Sequence, residues 1–301
     1  MGNVLVLLST YNGDKFLNEL LNSIFQQKDV NISLLVRDDG SHDSTLEILE
    51  KWKENHLIKI VKGKNLGAKN SFYELINMAD NYDYYAFCDQ DDVWEQNKLS
   101  EAIKLLEACD NVNKPKLYAS NYTLVDEKLR TLNIQVTDNK AYTFNQIIVK
   151  NHAIGCTMVC NNILMNFLKK TRKEQYALLP YHDHWAYIVC LAMKGDVYFD
   201  QSSHILYRQH INNVVGGNRS IFAKIKNSSL IKKNIRSNYL SILNTNYFND
   251  ICTDYIDLIE CVIKSKKSFK YRIKLIHRKY LMTNSFIEKV VLNLTILTGR
   301  I

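Results

Sequence analysis

Four short apolar runs alternate with amphipathic ones through the first 109 residues, and this alternation constrains the fold more than any other feature. NVLVLLS (3–9), ISLLVRDD (32–39), LIKIVK (57–62) and YYAFCD (84–89) have the length of strands. KFLNELLNSIFQQ (15–27), STLEILEKW (44–52), AKNSFYELINMA (68–79) and NKLSEAIKLLEAC (97–109) carry apolar residues at helical spacing. In the first of these, Phe16, Leu20, Leu21, Ile24 and Phe25 share one face. Repeated strand–helix units demand right-handed βαβ crossovers and a mostly parallel sheet flanked by helices. Such sheets bind ligands beyond the carboxyl ends of their strands. The unusual residues gather there: STYNG after the first run, RDDGS after the second, DQDD after the fourth.

Past residue 120 the pattern loosens. YASNYTLVDEK (118–128) reads as two strand pieces, and IGCTMVCN (154–161) as a strand before the helix NILMNFLKK. HDHWAYIVCLAMKG (182–195) is a short helix stopped by Gly195, followed by strands DVYFD (196–200) and HILYRQH (204–210). With 301 residues the chain can bury a full α/β core. Seven cysteines, odd in number and without a C-x-x-C pair, point to reduced thiols and a cytoplasmic protein, not a disulfide framework or zinc site. The N-terminal apolar run is short and lacks a basic flank, so it reads as a strand and not a signal peptide.

Charge divides the chain. Residues 219–301 hold 16 Lys+Arg and 5 Asp+Glu, leaving residues 1–218 with 23 of the 39 basic and 26 of the 31 acidic residues. The expected division is therefore a catalytic domain over 1–218 and a basic helical region over 219–301. That region is read as a solvated helical face, a peripheral membrane contact or a partner surface that includes a homodimer. The final stretch, SFIEKVVLNLTILTGRI, is broken by Glu288, Lys289 and Asn293. It falls short of the ~20 apolar residues a bilayer span needs, and leaves both lying on a surface and packing on the core open.

The chemistry starts at DQDD. Asp89, Asp91 and Asp92 crowd three carboxylates at the end of an apolar strand, which costs stability unless a cation neutralises them. A D-x-D there can hold Mg²⁺ or Mn²⁺ while a substrate diphosphate supplies further oxygens. The competing reading makes Asp91 or Asp92 the cap of a helix entering at Val93–Trp94. In order and spacing, VLLSTYNGDKFLNELLNSIFQQ, LLVRDDGSHDST, NLGAKNSFYELI and YYAFCDQDDVWEQNKL resemble the family-2 glycosyltransferases of the GT-A fold. DQDDVW is most similar to their bacterial rhamnosyltransferase branch. The resemblance covers about residues 3–215 and leaves the basic tail outside.

What the resemblance implies is an inverting, metal-dependent transfer of a sugar from a nucleotide-diphosphate donor. The donor is expected to be dTDP-L-rhamnose, with a UDP-hexose as rival. The acceptor is expected to be a glycan or lipid-linked glycan of the bacterial cell surface. Thr10, Tyr11 and Asn12 would line the base and ribose, and Asp38 would accept from the base imide unless it or Asp39 only shapes the RDDGS turn. Gly67 would allow close approach to the nucleotide, with Asn65 and Lys69 beside it. Asp89 and Asp91 would hold the metal with His210, and Arg208 would meet the diphosphate. Asp183 in YHDHW matches the base that deprotonates the acceptor hydroxyl, against a plain N-cap role. Its flanking His182 and His184 lack the companions of a zinc site. Gly155 and Cys156 would adjoin the donor sugar, with no base placed to make Cys156 a nucleophile. Two other classes were weighed: a phosphotransferase or phosphatase, whose D-x-D usually follows the first strand, and a nucleic-acid-binding module, for which no motif is present.

Overall fold

β1 (Gly2–Thr10) is buried on both faces from Val4 to Leu8, the signature of a central parallel strand. It pairs in parallel with β2 (Val30–Asp38) on one side and β4 (Tyr84–Cys88) on the other, and β2 pairs with β3 (Ile58–Lys62). The crossovers are α1 (Asp14–Phe25), α2 (Thr45–Lys53) and α3 (Gly67–Met78), as the apolar spacing requires. The order 3-2-1-4 reverses direction between β1 and β4, so the crevice beyond their carboxyl ends is the switch point. This computed structural model describes residues 1–108, 113–135, 141–151, 153–209, 234–278, 280–283 and 286–301.

The sheet continues with mixed direction. β8 (Val159–Asn161) is antiparallel to β4 and to β6 (Lys116–Val125), which pairs in parallel with β9 (Asp196–Arg208). β7 (Thr131–Gln135) adds to β6 and β5 (Val93–Trp94) to β9, both antiparallel. Two expectations change here. The strands read separately at 196–200 and 204–210 are one, because pairing with β6 carries the chain through Gln201–Ser202 with a register shift near Asn121. Val93–Trp94 is a strand, and the next helix, α4 (Lys98–Glu107), starts four residues later, so neither Asp91 nor Asp92 caps it.

Helices cover both faces. α1, α2 and α4 pack a core around Leu8, Leu17, Leu21 and Leu99. The other face carries α3, α5 (Phe144–Ile147), α6 (Asn162–Leu168), α7 (His182–Ala192) and the C-terminal helices. These last are α8 (Ile235–Tyr247), α9 (Thr253–Ser265), α10 (Phe269–His277) and α11 (Phe286–Leu297). Leu240, Leu258 and Ile296 join Trp185 and Ile188 in one continuous apolar core. Arg236 of α8, 1% exposed, donates from Nε and Nη2 to the Ile148 and Val149 carbonyls at 3.2 and 2.8 Å. The described part of the basic region is thus built into the same core as the sheet. Among the described residues, no helix is long and apolar enough to cross a membrane.

Candidate active site

The loops after β1, β2, β3 and β4 lock together into one rim. β-sheet register sets Thr10 opposite Asp38, and Thr10 Oγ1 donates to Asp38 Oδ1 at 2.9 Å. Asp38 also accepts from the Gly40 and Ser41 amides and the Ser41 hydroxyl, so its fully buried carboxylate holds four hydrogen bonds. That occupies the acceptor sites of a carboxylate. Of the two roles weighed for it, the turn-shaping one is what the geometry displays. Asp39 pairs with buried Arg37 and accepts from the Leu66 amide, fixing the entry to α3. Asn12 takes a left-handed φ of 48° and bonds Ser41 and His42 across the rim. Tyr11 is 44% exposed, and Gly67 opens onto empty space at the start of α3, where Asn65 caps its amide. Lys69 turns away from the rim and donates to the Leu179 carbonyl at 2.9 Å.

Gln90, the one neutral residue of DQDD, joins the first and fourth loops. Its side chain accepts from the Tyr11 amide at 2.8 Å and donates to the Tyr11 carbonyl at 3.1 Å. Gly13 makes room for it: a Cβ there would stand 2.4 Å from Gln90 Oε1.

The acids themselves are only partly as read. Ligand atoms of Asp89, Asp92 and Cys156 lie within 4.8 Å of one another. Asp92, fully buried, accepts from the Arg208 amide through Oδ1, and its carboxyl is pushed well above the usual range by burial, Asp91 and Asp89. The Cys156 thiol lies beside Asp92 and Asp89, and no donor among the described residues reaches Asp92 Oδ2. Burial pushes that thiol well above its ordinary range, which argues against a nucleophile. Asp89 is pushed up to about 7 by burial, then by Asp91, then by Asp183. Crowded carboxylates with an orphaned buried oxygen suit a hard divalent ion; a protonated sulfur does not contribute. Asp92 therefore joins Asp89 and Asp91 as a candidate ligand. His210 lies outside the described residues, as do Gly216 and Gly217.

A lysine that the sequence reading passed over sits beneath this knot. Lys98, fully buried, places Nζ 3.5 Å from the centre of the Trp94 ring, with no hydrogen-bond acceptor in reach among the described residues. Burial lowers it to about 8, against the attraction of Cys88, Cys156 and Asp92. The available signal was its position: a cation in the first turn of a helix opposes the macrodipole.

Arg208, read as a diphosphate contact, is turned into the protein. Its guanidinium is 1% exposed and donates to the Asp91 carbonyl at 2.8 Å, to the Glu127 carbonyl and to the Glu19 carboxylate, over the Phe16 ring. It clamps the DQDD loop to α1 and the β6–β7 turn.

Asp183 is the second residue of α7, with Tyr181 at the cap, so it is not the N-cap weighed as its bland role. Its carboxylate accepts from the His184 amide at 2.6 Å and Asn151 Nδ2 at 3.0 Å. Burial nonetheless lifts it to about 6. Gly155 opens the path beside it: a Cβ there would meet His182 Nε2 at 2.6 Å and Asp183 Cβ at 3.4 Å. His182 is stacked on Phe72 and lowered to about 3 by burial, a neutral wedge. His184 Nε2 binds the Ile147 carbonyl at 2.6 Å, a structural contact. Asp183 is thus joined to the acidic cluster through Gly155 and Cys156, close enough to raise Asp89.

A model of glycosyl transferase family 2 matches residues 5–170. A dTDP-rhamnosyl transferase of Shigella flexneri, RfbG, is 35% identical over 75% of this chain and 79% of its own. A UDP-Glc:α-D-GlcNAc-diphosphoundecaprenol β-1,3-glucosyltransferase of Escherichia coli, WfgD, is 25% identical over 58% and 67%. The crystal structure of S. aureus TarS 1–349 with UDP-GlcNAc superposes with a TM-score of 0.56 at 15% identity, over 99% of this chain and 91% of that one.

Proposed function

The chain belongs to glycosyl transferase family 2, and from that premise we propose that it moves L-rhamnose from dTDP-L-rhamnose to a hydroxyl of a bacterial surface-glycan precursor, with inversion. The observation that carries the reading is that Gly155 and Cys156 link Asp183 to the acids following β4: Gly155 abuts Asp183, and Cys156 lies beside Asp89 and Asp92. The fold, a GT-A sheet, fits the premise, and the Shigella relative's name supports the donor.

In this reading Thr10, Tyr11, Asn12, Asn65 and Gly67 surround the nucleotide, with Asp38 holding the loop that shapes the pocket. Asp89, Asp91 and Asp92 would hold Mg²⁺ or Mn²⁺, with His210 as a further ligand. When bound, that ion neutralises charge growing on the leaving diphosphate. Arg208 acts through the main chain, fixing Asp91 and Asp92 from behind. Asp183 takes the proton of the acceptor hydroxyl as that oxygen attacks the sugar's anomeric carbon from the face opposite the leaving group. Asn151 and the α7 amides keep its carboxylate aimed, and its raised pKa makes it a stronger base than a surface aspartate. Binding donor and acceptor together replaces a bimolecular encounter with an oriented one.

The acceptor is a lipid-linked or growing glycan at the cytoplasmic face, with no nucleic acid involved. The basic C-terminal region supplies the membrane contact or a homodimer surface. A UDP-hexose donor is the second reading, favoured by the Escherichia coli relative. A thermal-shift panel of dTDP-rhamnose, UDP-glucose and UDP-GlcNAc, each with and without Mn²⁺, decides between them, since a bound ligand raises Tm. No shift with any nucleotide sugar would overturn the proposal.

A further inference from the structure

α11 has two apolar faces, and the structure covers one. Leu292 and Ile296 enter the core, while Phe286, Ile287, Val290, Leu294 and Leu297 are 80, 62, 44, 57 and 39% exposed. At ~100° per residue those five fall on one arc of about 100°. The neighbouring α10, joined to α11 through Arg272 and the Leu297 carbonyl at 3.0 Å, exposes Phe269 and Ile273 one turn apart. Half of the sixteen large apolar side chains exposed among the described residues lie between 269 and 297. So broad an exposed apolar stripe on one helix marks an interaction face.

The charge around it says what that face meets. Residues 264–301 carry ten Lys+Arg and one Asp+Glu. Two copies of this surface meeting about a two-fold axis would bring basic rim against basic rim. On α10 a cavity of about 460 Å³ is lined by Lys270, Tyr271, Ile273, Lys274, His277 and Arg278. Asp257 answers Lys274 and Arg278, leaving the lining net positive. Apolar side chains flanked by cations match an anionic lipid surface: acyl chains for the stripe, phosphate headgroups for the cavity and rim. A 12-residue helix is about 18 Å long, so it lies in the interface and does not cross it.

We propose that α10 and α11 seat this protein on an anionic bilayer, with the Phe286–Leu297 stripe inserted among the lipids and the α10 cavity on a headgroup phosphate. Its use rests on the functional reading above, in which the acceptor is carried on a lipid; its chemistry does not.

Flotation of the full chain with phosphatidylcholine vesicles, with and without phosphatidylglycerol, tests it. Wild type is expected to float with the anionic vesicles and to release in high salt. Ile287→Glu/Leu294→Glu is expected to bind at least tenfold more weakly and Lys266→Glu/Lys270→Glu several-fold more weakly, each with unchanged Tm. These side chains point outward, so neither pair disturbs the core. Equal flotation of Ile287→Glu/Leu294→Glu and wild type, or no flotation of wild type, overturns the proposal. So does a wild-type dimer by light scattering that Ile287→Glu/Leu294→Glu converts to monomer. Nucleotide-sugar thermal shifts on the same samples show separately whether the donor reading stands.

Discussion

Asp183 and Asp92 make opposite demands on pH. As the base, Asp183 must be ionised, and with its pKa at about 6 the acid limb of kcat/KM is expected near pH 6, falling tenfold per unit below it. Asp183→Asn is expected to lower kcat by about a thousandfold with Tm unchanged; near-normal turnover would remove it as base. Asp89 and Asp92 are raised in the fold, so the stability they contribute is complete below the unfolded value of 3.8 and is lost as pH climbs, for Asp89 through about 7. His182, lowered to about 3, works the other way, losing stability as pH falls below 6.5. Mn²⁺ is therefore expected to raise Tm more at pH 8 than at pH 5. Asp92→Asn, which keeps an acceptor for the Arg208 amide, should raise the metal-free Tm at pH 8 and erase most of the Mn²⁺ increment. The crowding of Asp89, Asp91 and Asp92 was legible in the sequence, but Asp92 as a candidate ligand and not a helix cap was not, because β5 follows it through pairing with distant β9. Lys98 and the direction of Arg208 were not, since a lone lysine reads as solvated and no sequence says where a guanidinium points.

At the level of elements, the crossovers β1 to α4 were readable from apolar spacing, because each buries one face against the sheet. β5 and the full length of β9 were not: Val93–Trp94 and Gln201–Ser202 become strand only through partners distant in sequence. The same distance hid the Gln90 bridge. Gln90→Ala removes two main-chain hydrogen bonds, about 1 kcal/mol each, and is expected to raise the donor KM about tenfold with a smaller change in kcat. Gly13→Ala should do the same by displacing Gln90. An unchanged KM in both would show the bridge is idle.

For the whole molecule, composition marked residues 219–301 as a basic appendage, and periodicity alone could not show that α8–α11 complete the core. Arg236 is the test. Arg236→Met removes the donor to the Val149 carbonyl, while Tyr239 still donates to the Ile148 carbonyl, and is expected to cost about 1–3 kcal/mol, read by urea denaturation as one cooperative transition at lower midpoint. Two separated transitions would mean that the helices fold on their own. Across the crevice, Gln90 gives the nucleotide loop and the acidic loop a shared hinge pin. Whatever steadies Tyr11 also steadies Asp89 and Asp91, so nucleotide and cation must each tighten the other's hold by one and the same factor. Calorimetric titrations run in both orders would reveal that reciprocity, and it should shrink toward unity when Gln90 is shortened to alanine.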